Sequence, residues 1–132
     1  MIVLDEHLYD PLIMADISSW YSGQVVPLIK LRPGSIIKDD VIPTLLRKGV
    51  ESTFVTINVT DFWKKIRPQN GFCIITVALT QNQVYEVPKL LRRLLHLPEF
   101  KTKALRMGKV IHVAQKHIEY YKSDRRIYSL QW

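Results

Sequence analysis

The strongest constraint on this chain is that several short segments read as apolar along their whole length rather than at alternate positions. Ile2-Val3-Leu4 and Phe72 to Leu79 are the clearest of them. Such runs suit strands covered on both faces, and a sheet covered on both faces needs helices on each side. The stretches between them supply those helices. Asp10-Pro11 is a helix start, with Asp as N-cap and Pro at the first helical position, where its missing N–H costs nothing. Leu12, Ala15, Ser19 and Trp20 are then expected to share a face, and Gly23 to close the helix. Val25 to Leu31 predicts a second strand, near an edge because Pro27 interrupts it. Arg32-Pro33-Gly34-Ser35 predicts a turn.

Asp39-Asp40 opens a second helix with Val41, Ile42, Leu45 and Leu46 apolar at helical spacing. Pro43 fits there only in the first turn, which places the N-cap at Asp39 or Asp40, and Gly49 ends the helix. Thr53 to Ile57 predicts a third strand and Asp61 to Ile66 a short helix. Val87, Leu90, Leu91, Leu94 and Leu95 form an amphipathic stripe opposite Lys89, Arg92, Arg93 and His96. After a basic loop, Lys109 to Val113 and His117 to Tyr121 predict a closing strand pair. Alternating strands and helices imply an α/β domain spanning residues 1–132, with a mainly parallel sheet and right-handed crossovers.

Charge narrows the function. The chain carries a net charge of +7, unevenly spread. Through Trp63 acids outnumber bases eight to five, whereas from Lys64 onward bases outnumber acids fourteen to four. A basic surface favours polyanions such as nucleic acid, or serves solubility. Beside a carboxylate cluster it is more specific, because cations can hold phosphates while carboxylates hold a metal. Cys73 is the only cysteine, which excludes a disulfide framework and a thiolate metal cluster. Its apolar neighbours predict a buried structural thiol. No apolar run approaches the ~20 residues of a membrane helix, and the opening Met1 to Glu6 lacks a basic leader segment. A reducing, cytoplasmic setting is expected.

In an open parallel sheet, ligands bind beyond the carboxyl ends of the strands. Asp5 is the first polar residue after the first strand, Asn58 and Asp61 follow the third, and Asp39 and Asp40 begin a helix that could face the same edge. Acids brought together this way repel one another unless a hard cation joins them, and Mg²⁺ or Mn²⁺ takes oxygen ligands while keeping several waters. Asp40 serves equally as a plain N-cap and Asp61 as the cap of its short helix. Asp5, ending a buried strand, needs a partner in any case. Lys64, Lys65 and Arg67 are placed to flank this rim and hold phosphates. His112 and His117 fall on opposite arms of the closing strand pair, so their spacing gives no support to a histidine metal site. There is no glycine-rich phosphate loop, no Ser/His/Asp pattern and no H-E-x-x-H.

Three strings carry a family resemblance. Val3-Leu4-Asp5-Glu6-His7-Leu8 resembles the LLDENL opening of small PIN-like proteins of toxin–antitoxin systems. Thr56-Ile57-Asn58-Val59-Thr60-Asp61-Phe62 resembles the T-x-N/D-x-x-D-F signature of PIN domains, including VapC-type toxins. Ile37-Lys38-Asp39-Asp40-Val41-Ile42 resembles the segment that supplies the family's middle acid. The resemblance runs over nearly the whole chain. It implies a PIN-like three-layer α/β/α domain and a metal-dependent endoribonuclease acting on single-stranded RNA, with a small antitoxin protein and a second copy of the chain as partners. Carried over by position, Asp5, Asp40 (or Asp39) and Asp61 would be metal ligands and catalytic acids, with Asn58 at a fourth polar position and Mg²⁺ or Mn²⁺ as cofactor. His7 departs from the family's usual Asn. Asn58 stands where many PIN domains have Asp, which removes a charge. A PIN-like binding or regulatory module without catalysis is the alternative. On the ligand reading, Asp5→Asn should abolish metal-dependent cleavage and leave the fold intact.

Overall fold

The computed structural model describes residues 1–34, 36–49 and 51–132. Seven strands form one mixed sheet: β1 Ile2–Leu4, β2 Val25–Pro27, β3 Ser52–Thr56, β4 Phe72–Val77, β5 Val110–Val113, β6 His117–Tyr121 and β7 Ile127–Gln131. Their spatial order is β2-β1-β3-β4-β5-β6-β7. The first five are mutually parallel, and β6 and β7 are added antiparallel. Every residue of β1, β3 and β4 is buried, as the continuous apolar runs require.

Helices lie on both faces. On one side α1 (Pro11–Trp20) and α4 (Val87–Leu95) pack over a core that includes Ile2, Leu4, Val55, Cys73, Ile75 and Ile111. On the other, α2 (Ile42–Lys48) and α3 (Val59–Phe62) cover Val3, Phe54, Phe72, Ile74 and Val110. A further short helix, α5 (Lys103–Arg106), interrupts the expected basic loop. Arg106 is buried there and donates to the Phe100 carbonyl and the Thr53 hydroxyl. It is a structural cation rather than part of a polyanion surface. Cys73 is fully buried, which pushes its thiol up to about 12, in keeping with an inert core role.

Several local expectations are corrected. Asp10 caps α1 through a 2.8 Å bond from the Leu12 N–H, but the buried face is Ile13 and Ile17, while Leu12, Ala15 and Ser19 are exposed. The helix ends at Trp20, before Gly23, because Tyr21 is already extended. Pro27 does mark an edge strand, yet β2 stops there and Leu28–Leu31 turns into a 3₁₀ helix. Of the predicted turn at 32–35, Ser35 lies outside the described residues. Asp39 and Asp40 open a 3₁₀ turn ahead of α2, and neither side chain caps it. The short helix begins at Val59 rather than Asp61, with Asn58 as its N-cap. The chain closes with three strands rather than a pair at its end, since β7 extends the sheet beyond β6.

No helix among the described residues is long and apolar enough to cross a membrane. The α4 stripe is core, with Val87, Leu91, Leu94 and Leu95 buried and Leu90 partly so. Leu91→Ala should therefore lower the unfolding free energy by about 2–5 kcal/mol in urea titrations; a variant that unfolds like the parent would show that this face is not buried.

Candidate functional site

The site is assembled from the ends of β1 and β3. Parallel pairing sets Leu4 beside Val55, so the next residues, Asp5 and Thr56, meet one step above. Asp5 is 4% exposed. Its Oδ2 accepts the Thr56 hydroxyl at 2.6 Å, and its Oδ1 accepts the Glu6 N–H at 2.8 Å. The partner that a carboxylate on a buried strand requires is thus Thr56. Thr56 Oγ1 also accepts the Asn58 N–H at 2.9 Å, which fixes the turn leading from β3 into α3.

Asn58 then organises the other two acids. Its Oδ1 accepts the Asp61 N–H at 3.2 Å. Because a backbone N–H can only donate, the amide orientation is determined, and Nδ2 must face the carboxylates. It donates to Asp61 Oδ2 at 2.9 Å and more weakly to Asp39 Oδ2 at 3.4 Å. Four residues from three segments, Asp5, Asp39, Asn58 and Asp61, are therefore linked at one edge of the sheet. Of the two adjacent acids it is Asp39 that reaches the cluster. Asp40 is exposed and makes no hydrogen bond to it among the described residues, so of the two it is Asp39 that stands with Asn58 and Asp61.

Electrostatics bears the marks of crowding. Asp39 is held above the usual carboxylate range, first by desolvation, then by its hydrogen bond with Asp61 and by the charges of Asp5, Asp61 and Glu6. Asp61 is held below that range by the Asn58 amide, then by Asp39, with Lys65 adding to the effect. In the metal-free protein the two titrate as a pair, Asp61 losing its proton before Asp39.

This donor set fits a hard cation taken by one or two carboxylates plus waters, as Mg²⁺ is usually held. It does not form a closed cage: among the described residues no three Asp, Glu, His or Cys side chains are grouped as a metal site. Asp39 and Asp61 would be the direct ligands, with Asp5 behind them. The geometry attaches a stability cost to Asp5→Asn that the sequence expectation of an intact fold left out. Asn keeps only one acceptor oxygen, so either the Thr56 hydroxyl or the Glu6 N–H loses its acceptor, a defect worth about 1–3 kcal/mol.

The strand registers extend the level of Asp5 across the sheet. Thr56 pairs with Thr76, Thr76 with His112, His112 with Glu119 and Glu119 with Ser129. All six positions face the side that carries α2 and α3. His112 Nδ1 lies 3.0 Å from Thr76 Oγ1, and its ring rests on Trp63 with centroids 5.2 Å apart. Burial lowers its pKa against the pull of Glu119. Sequence reading missed this polar row. Thr76 breaks the apolar run of β4, and that was the available signal. Lys64, Lys65 and Arg67 are brought together in one cleft beside Tyr121, and Arg125, which the sequence did not single out, joins them.

Comparison of the chain with protein-family models, with curated proteins and with solved structures found no match to any of them.

Asp39 also gives a pH test. Its folded-state pKa is raised, so its ionisation destabilises the metal-free fold above the ordinary carboxylate range, and the penalty disappears as pH falls below it. Asp39→Asn should therefore melt higher than the parent at pH 7 and lose that advantage as pH falls below the ordinary carboxylate range, where Asp39 is neutral in the folded and the unfolded chain alike. Thermal melts in chelator across this range check it; an equal or lower melting point at pH 7 would mean that Asp39 is not crowded.

Proposed function

We propose that the chain is a PIN-like, metal-dependent endoribonuclease of the toxin type, acting on single-stranded RNA in the cytoplasm with a small antitoxin protein as its partner. One observation carries the reading: Asp5, Asp39, Asn58 and Asp61, from segments far apart in sequence, meet at the carboxyl edge of a parallel sheet, in the order and at the motifs that the resemblance implies. The α/β sheet with helices on both faces and the basic cleft beyond α3 support it.

On this reading a bound Mg²⁺ or Mn²⁺ supplies charge stabilisation and an activated water for in-line displacement at a phosphodiester. The rest falls to the chain. Asp61 stays ionised at neutral pH because Asn58 donates to it, and is the ready ligand. Asp39, whose pKa is raised, adds a second carboxylate at which proton and metal compete. Thr56 orients Asp5 and the Asn58 turn together. Lys65, next to Asp61, is placed to hold a phosphate beside the reacting group.

The alternative, a non-catalytic PIN-like module, is favoured by one feature. The Asn58 amide already bridges Asp39 and Asp61, supplying without metal part of the relief a cation would give. Cleavage of a fluorogenic single-stranded RNA separates the two. Asp61 is exposed, so Asp61→Asn should keep the fold yet cut Mn²⁺-dependent cleavage by more than the ~10–100-fold that an outer-shell partner costs. A parent protein that neither binds Mn²⁺ nor cleaves would leave the binding module as the function.

A further inference from the structure

Away from the carboxylate edge, the segment 64–68 and the β6–β7 turn face each other across a cleft of about 450 Å³. Lys64, Lys65, Arg67 and Arg125 line it, over a floor that includes Tyr121 and Ile127. No acidic residue lines the cleft. Asp124, next to Arg125, is occupied elsewhere: its carboxylate accepts the Tyr128 hydroxyl and the Arg126 N–H. Among the described residues no lysine or arginine forms an ion pair, the two pairs found both being made by histidine. Four cations thus converge on one concavity, Lys65 alongside the Asp61 carboxylate as well, an arrangement that costs self-repulsion unless an anion enters it.

Two further observations point the same way. Lys64 and Arg125 have φ of 63° and 61°, two of the three left-handed non-glycine residues among those described. The backbone on both walls is held in an unfavourable conformation, a strain that tends to persist where side chains are being aimed. The cleft also does not end at Arg67. Arg67 and Pro68 line a second depression of about 470 Å³ together with Arg47 from the last turn of α2. The two hollows share a wall and form one cationic path.

Its position follows from the sheet register. Tyr121 and Ile127 pair with each other, and Tyr121 pairs with Val110 at the level of Ile74. That level is two residues, or about 7 Å, along the strands from the row that contains Asp5, Thr56, Thr76 and His112. The path therefore begins at Lys65, beside Asp61, and leads away from the acids toward the opposite sheet edge.

We propose that this path, from Lys64 and Lys65 through Arg67 to Arg125 and Arg47, is a binding site for the phosphodiester backbone of single-stranded RNA, distinct from the carboxylate site and independent of metal. The choice of RNA among polyanions rests on the nuclease reading; the anion site itself does not. Phosphates meet the cations, and sugar or base surface packs on Tyr121, Ile66 and Ile127.

The test uses the whole chain in chelator, so that the carboxylates hold no metal, and reads fluorescence anisotropy of a labelled 12-mer oligouridylate at several salt concentrations. Arg67→Ala, Arg125→Ala and Lys64→Gly (glycine because of the left-handed φ) should each weaken binding and make the log–log salt slope shallower by roughly 0.7 per lost phosphate contact. Arg47→Ala should weaken the 12-mer more than a 4-mer that cannot span both hollows. Lys89→Ala, on the α4 face across the sheet, should change neither. Parent protein that does not bind without metal, or a Lys89→Ala loss equal to that of Arg67→Ala, would overturn the site. Mn²⁺-dependent cleavage of the same RNA is read separately. Binding that depends on Arg67 and Arg125 in a protein that never cleaves keeps this site and removes the nuclease reading; cleavage indifferent to both arginines does the reverse.

Discussion

The candidate site depends on one buried hydrogen bond, from the Thr56 hydroxyl to Asp5 Oδ2 at 2.6 Å. It ties the end of β1 to the end of β3 where the ladder stops. A carboxyl acceptor in a water-poor place makes this bond's loss expensive. Thr56 also accepts the Asn58 N–H, so the same hydroxyl that satisfies Asp5 sets the turn that presents Asn58 and Asp61. The position of the exposed acids is inherited from the position of a buried one.

Around that anchor the fold brings like charges together and partly compensates them. The Asn58 amide lies across Asp39 and Asp61, lowering the pKa of Asp61, while crowding and desolvation raise that of Asp39. An Asp at position 58 could not donate, and three carboxylates would then depend on an external cation. With Asn, the metal-free protein tolerates the cluster, and a cation must displace or share an existing contact. Metal affinity at this site is accordingly expected to be moderate and pH-dependent rather than tight.

Much of this was legible in the chain itself. The apolar runs of β1 and β4 dictate a sheet buried on both faces, and the α4 stripe falls where its periodicity puts it. Asp10-Pro11 caps α1 as its residue types require. What could not be read is instructive. The face of α1 was misjudged because Leu12 looks like core, whereas the Asp10 cap rotates Ile13 and Ile17 inward. Asp39 and Asp40 are equivalent as residue types; only the 3₁₀ turn at 39–41 decides which one reaches Asn58. The polar row from Asp5 to Ser129 is a property of strand register, and Arg125 joins Arg67 only because β7 brings its turn back beside the 64–68 segment. Neither is visible in local pattern.

The proposed nuclease reading requires Asp39 and Asp61 to hold a divalent cation. The most direct measurement is Mn²⁺ binding followed by electron paramagnetic resonance of free Mn²⁺, comparing the parent with Asp39→Asn and Asp61→Asn between pH 5 and pH 8. One ion per chain should bind the parent, no less tightly at pH 8 than at pH 5 because protons compete for carboxylate ligands, and either substitution should remove it without unfolding the protein. Binding that is absent from the parent, or equal in all three proteins, would contradict the claim.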